Sequence, residues 1–165
     1  MSGESRNLSV PREVFISKQL ADELVRICLN ALPHKAFGLV GGPDMYRPQS
    51  LYPCSTNLRN EPEWKVLFES FGEFYKNPDL GFVISAPEVQ SVMKSMALRG
   101  EELVGVYHSH RYLSVHPSEA DVALNSDSGL LSYIVSVANP SAPEIGIFRL
   151  TGNGYQKIPI VGGTY

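Results

Sequence analysis

Residues 103–121 read LVGVYHSHRYLSVHPSEAD, and the rest of the chain is best understood outward from them. Leu103 to Tyr107 is a short apolar run of the kind buried inside a sheet. His108 and His110 continue it two residues apart, and because side chains alternate along a strand both imidazoles face one side. Pro117, Ser118 and Glu119 then read as a helix start, which puts Ser118 and Asp121, three apart, on one helical face looking back at the histidine pair. Two imidazoles and a carboxylate leave a fourth tetrahedral position open for water, the arrangement of a catalytic zinc site. Such an ion brings the pKa of its water to about 7 and polarises a carbonyl. His-x-His alone occurs for many reasons, and two histidines with a carboxylate also fit an Fe(II) facial triad.

Around this stretch the chain alternates helices and strands. Ser17 is placed to cap a helix to about Leu32, with Leu20, Leu24, Ile27, Cys28 and Ala31 on one face. Pro33 ends it, and Ala36 to Val40 reads as a strand entering the turn Gly41-Gly42-Pro43-Asp44, with a return strand around Met45 to Tyr52. Glu61 to Lys76 carries Trp64, Leu67, Phe68, Phe71 and Phe74 or Tyr75 at roughly helical spacing, as a core-packed helix or as a lid facing substrate. Pro87 opens a helix with Val89, Val92, Met93 and Met96 on its apolar face, stopped at Arg99-Gly100. Tyr133 to Ala138 and Ile145 to Leu150 are strands joined through Asn139-Pro140, and a last strand is expected near Tyr155 to Val161. Helices alternating with strands, then a run of strands, indicate a mixed α/β or α+β sheet layered with helices.

The 165 residues fit one domain that buries about 70% of its unfolded surface. A net charge of −3, with no two Lys or Arg adjacent, argues against a nucleic-acid partner. No apolar stretch approaches the roughly 20 residues that span a bilayer, and Met1 to Leu8 has no signal-peptide pattern, so a soluble cytoplasmic protein with no membrane partner is expected. Cys28 and Cys54 show neither metal-type spacing nor a disulfide framework.

The string His108-x-His110, seven residues, Ser118, two residues, Asp121 resembles the JAMM (MPN+, Mov34/PAD1-like) metallopeptidase motif without a gap. The resemblance extends from the first helix through PHKAFGLVGG to the closing strands. It implies an α/β fold: a single MPN, cytidine-deaminase-like domain with a mixed curved sheet flanked by helices. The domain would span residues 10–161 with 61–81 divergent or inserted, after a flexible segment 1–9 and before a tail 162–165. It also implies that His108, His110 and Asp121 are the ligands of a Zn²⁺ cofactor and that Ser118 donates to the oxyanion. His116 would be a bystander on the rim. Family members cut amide or isopeptide bonds after the Gly-Gly tail of ubiquitin-like proteins, and short bacterial relatives act on sulfur-carrier proteins. A ubiquitin-like or sulfur-carrier partner is therefore expected, paired as an added strand beside the site. The alternative is a zinc-retaining module that only binds such a partner. Oligomeric state stays open, a homodimer included. The chain's own end, Val161-Gly162-Gly163-Thr164-Tyr165, also raises self-recognition by a neighbouring copy.

Two positions depart from the family pattern. Where relatives carry Pro-x-Glu-x-x-Gly-Leu, with the glutamate as general base, this chain reads Pro33-His34-Lys35-Ala36-Phe37-Gly38-Leu39, so Lys35 stands at the position of the base. An ammonium beside a metal must swing away or lose its proton. A neutral Lys35 acting as base, a chain that holds zinc but hydrolyses poorly, a replaced glutamate, and a different residue as base all stay open. His34 faces the opposite way on an extended segment, and Glu119 lies on another helical face. Arg111 follows the second histidine where many relatives have proline, and with Lys35 it would favour a carboxylate-bearing ligand.

Overall fold

A computed structural model describes residues 11–162, so the expected flexible segment 1–9 and the Gly163 to Tyr165 end of the tail lie outside the described residues. In chain order the elements are β1 (Val14–Phe15), α1 (Lys18–Ala31), β2 (Phe37–Gly42), β3 (Ser50–Pro53), a 3-10 turn Leu58–Asn60, α2 (Pro62–Glu69), a second 3-10 turn Glu73–Lys76, α3 (Ala86–Leu98), β4 (Glu102–His110), α4 (Glu119–Asn125), β5 (Leu131–Ser136), β6 (Glu144–Thr151), β7 (Gly154–Lys157) and β8 (Ile160–Val161). Six strands form one mixed sheet in the order β3-β2-β4-β5-β6-β7. Only β4 and β5 run parallel within it, which is why α4 lies between them in the chain as a crossover.

Helix α1 covers one face. Ser17 caps it, accepting from the Leu20 amide at 3.1 Å, and its buried Leu24 and Cys28 join Val40, Val104, Tyr107, Leu131, Tyr133 and Ile147 in the main core. A fully buried leucine such as Leu24 contributes about 2 kcal/mol of transfer free energy. The two tyrosine rings fit because the neighbouring strands carry glycine beneath them: a Cβ on Gly38 would stand 2.5 Å from the Tyr107 ring, and one on Gly105 2.5 Å from the Tyr133 ring. On the opposite face Val115, Ile134, Phe148 and Leu150 form a second cluster against Val122 of α4.

Several expectations need correction. The return strand begins only at Ser50, because Asp44 to Arg47 form a turn in which the Asp44 carboxylate accepts from the Tyr46 amide at 2.9 Å. The final strand is two strands: β7 extends the main sheet beside β6, whereas β8 pairs in parallel with β1, Val14 opposite Ile160. Helix α3 buries only Met96 of its expected face, leaving Met93 exposed.

Glu61 to Lys76 is not one helix. It breaks at Gly72, whose φ of 126° continues no helix, and resumes as the second 3-10 turn. Phe68 and Tyr75 are buried with Leu80 and Ala120, while Phe74 remains exposed and lines the cleft described below, so part of the aromatic stripe is core and part is cleft edge. Arg59 holds this segment together. Fully buried, it donates to the Leu80 carbonyl at 2.6 Å, the Asn77 carbonyl at 3.1 Å and the Tyr75 carbonyl, and lies 4.9 Å above the Phe68 ring. No helix among the described residues is long and apolar enough to cross a membrane.

Candidate metal centre

Strand β4 is paired on both sides, His108 opposite Phe37 of β2 and beside Ile134 of β5, so its last residues sit at the centre of the sheet. Alternation sends Tyr107 and Ser109 toward the α1 side and His108 and His110 to the other, where α4 carries Asp121 to meet them. Ser118 is the N-cap of α4. Its Oγ accepts from the Asp121 amide at 3.2 Å, and the Asp121 carboxylate accepts in return from the Ser118 amide at 2.8 Å. One capping box thus fixes both helix start and carboxylate orientation.

The ligand atoms of His108, His110 and Asp121 all lie within 4.8 Å of one another and all three residues are buried. His110 Nδ1 is 2.7 Å from the Ser114 carbonyl, which can only accept, so Nδ1 carries the proton and a neutral His110 turns the lone pair of Nε2 inward. That nitrogen faces His108 Nε2 at 3.0 Å and an Asp121 oxygen at 3.2 Å, while the other Asp121 oxygen is 3.2 Å from His108 Nε2. Two imidazole nitrogens and a carboxylate converging in a buried spot fit a cation. Burial pushes His108 down to about 4 against the pull of Asp121, so at neutral pH that imidazole is itself uncharged. Burial alone would raise Asp121, yet the two imidazoles hold its carboxyl well below the usual range. A carboxylate with two imidazoles, one of them oriented by the Ser114 carbonyl, fits a divalent metal.

Lys35 reaches the same place. It precedes β2, its Nζ donates to the Ser109 carbonyl at 3.0 Å, and it lines a cleft with His110, Arg111, Ser118 and Asp121. Burial lowers its amine to about 8, with Asp121 opposing the shift and Arg111 adding to it, so at pH 7 Lys35 remains mostly an ammonium. Arg111 donates to the Pro33 and Asp79 carbonyls and lines the cleft as well. The remaining candidates stand apart: His34 and Glu119 are exposed, and His116 is exposed beside Phe148 and Tyr155. Cys28 is buried in α1 and Cys54 half-buried after β3, both as free thiols pushed up to about 12 by burial.

Other contributors carry no local sequence signal. Phe82 lies against the His108 ring, centroids 4.8 Å apart, and stacks on Phe37, closing the apolar side of the cluster. Ser109 accepts from the Ala36 amide at 2.9 Å and so ties the strand bearing the histidines to the segment bearing Lys35. Ser136 holds the loop after His110 through the Leu113 carbonyl at 2.7 Å.

Residues 17–151 match the family model of prokaryotic homologs of the JAB domain. The solution structure of protein DSY2949 from Desulfitobacterium hafniense is similar, with a TM-score of 0.71 at 24% identity over 92% of this chain and 94% of that one. AF2198, a JAB1/MPN domain protein from Archaeoglobus fulgidus, gives 0.52 at 19% over 90% and 98%. A structure described as a metalloprotease-like zinc site in the proteasome and signalosome gives 0.50 at 17% over 90% and 98%. Curated protein sequences give no match. These likenesses speak for the fold, and the family model spans the sheet, the histidine pair and Asp121 together, so the chain belongs to the prokaryotic JAB domain family.

Proposed function

We propose that the chain is a zinc-dependent JAMM-type metallohydrolase that cleaves the amide or isopeptide bond at the C-terminal Gly-Gly of a ubiquitin-like or sulfur-carrier protein, with hydrolysis impaired by Lys35. The observation that carries this reading is the convergence of the His108, His110 and Asp121 lone pairs in one buried cluster at a cleft. Those three residues would hold the ion, which supplies Lewis acidity and an acidified water. Ser118 uses its Oγ lone pair for the helix cap, which leaves its hydroxyl hydrogen to donate to a substrate carbonyl oxygen in the cleft. Lys35 stands where a proton acceptor is needed, and its Nζ is oriented as a donor, bonded to the Ser109 carbonyl. The same observation supports the second reading, a metal-retaining module that binds its partner without cutting it.

The test is release of the C-terminal group from a Gly-Gly carrier conjugate by the zinc-loaded chain and by Lys35→Glu. Restoring a carboxylate is expected to raise the rate on the order of 10²–10⁴-fold, and His108→Ala in the same background to abolish it. Equal rates for the unsubstituted chain and for Lys35→Glu would contradict the assignment of this position. Absence of turnover in both would leave the binding module.

A further inference from the structure

The cleft carries more positive charge than its own carboxylates use. The Arg111 side chain is only 6% exposed, and its charge is met without a close carboxylate: its Nη atoms go to the Pro33 and Asp79 carbonyls, its guanidinium lies 4.9 Å from the centre of the exposed Tyr112 ring, and the Asp79 carboxylate is largely in solvent with its oxygen 3.7 Å away. Its Nε is buried and has no hydrogen-bond partner. Lys35 spends one N–H on the Ser109 carbonyl and holds two in reserve. Asp121, the remaining carboxylate of the cleft, is already engaged by both imidazoles and the Ser118 amide. Two cations lining one cleft, one of them with a buried donor that lacks a partner, make a setting that favours an anion.

We propose that Lys35 and Arg111 form a carboxylate subsite, and that it selects substrates whose released residue ends in a free α-carboxylate over those whose scissile bond leads to an uncharged amide or to a protein lysine side chain. This rests on the proposed function only in placing a substrate in this cleft. The two cations line the same cleft as Ser118, His110 and Asp121, so a carboxylate held by them keeps the preceding peptide bond in that cleft. A substrate ending in an amide leaves both donors unpaired and is rejected for that reason. Lys35 then has a task of its own: the ammonium that disables proton abstraction reads the leaving residue's charge.

The experiment is a calorimetric titration of the zinc-loaded chain with acetyl-Gly-Gly-Ala as the free acid and as the C-terminal amide, repeated on Lys35→Met and Arg111→Gln and on metal-free protein. The acid is expected to bind at least about tenfold more tightly than the amide, with the preference falling toward unity in each variant. Lys35→Met keeps every Arg111 contact and so remains informative if Arg111→Gln disturbs the fold. Equal binding of acid and amide, no binding of the acid up to about 10 mM, or a preference that survives in both variants because the metal alone holds the carboxylate, would each overturn the subsite. Zinc content measured on the same samples separates the two ideas. A chain without zinc that still prefers the acid refutes the hydrolase and keeps the subsite, and a zinc-bound chain indifferent to the acid does the reverse.

Discussion

His108 and His110 hang from a strand paired on both sides, and Asp121 is locked by the capping box that starts α4. The opposite wall of the cleft is assembled differently. Lys35 sits on the lead-in to β2, Arg111 on a loop, and Phe74, Tyr75, Leu80 and Gly81 on a segment whose order depends on one buried arginine reaching backbone carbonyls. The metal side is thus fixed by strand pairing on both sides of β4 and by one local capping box at the start of α4. The other side is fixed by side chains, each of which can be changed singly, and it carries Lys35 and Arg111, the two positions that the sequence resemblance sets apart.

The sharpest way to break this contrast is Arg59→Met. Removing the guanidinium orphans the Tyr75, Asn77 and Leu80 carbonyls, and the segment from Leu58 to Ile84 should lose about 3 kcal/mol of local stability. Native-state hydrogen exchange should show those amides opening while β4 and β5 stay protected; equal loss in the strands would mean the two walls are one cooperative unit. Ser109→Ala acts on the seam. It leaves the Ala36 amide unpaired in a buried setting, costing about 2 kcal/mol in denaturant unfolding, with the cleft edge at Lys35 loosened. Smallest is the metal side's own cap: Ser118→Ala should cost about 1 kcal/mol and Ser118→Thr only a few tenths. If Ser118→Thr keeps stability and Ser118→Ala loses catalytic rate in the Lys35→Glu background by more than the cap explains, the hydroxyl hydrogen is in use.

The metal side was also the legible side. The His108-x-His110 spacing reads directly because strand alternation is a rigid rule, and Ser118 with Asp121 reads from their spacing of three at a helix start, which the structure realises as a capping box. Helix α1 and strands β5 and β6 are equally local patterns of cap and periodicity. What was not legible depends on distant partners. Arg59 resembles any surface arginine until residues Tyr75 to Leu80 fold over it, and Phe82 gives no sign of meeting His108. Helical spacing from Trp64 to Tyr75 hid the break at Gly72, where backbone conformation overrides the apolar pattern. The pairing of β8 with β1 joins residues from opposite ends of the chain, which no local pattern announces. Lys35 was placed only through the family resemblance, and the structure brings it to the cleft beside Asp121.

Zinc bound per chain, measured after metal loading and exhaustive dialysis for the chain as it stands, for His108→Ala and for Lys35→Glu, bears most directly on the difference between the two walls. The metal cluster is expected to hold about one zinc ion in both the unsubstituted chain and Lys35→Glu, and His108→Ala to hold none. Zinc retained by His108→Ala, or bound by Lys35→Glu but not by the unsubstituted chain, would contradict a metal site formed by His108, His110 and Asp121 alone.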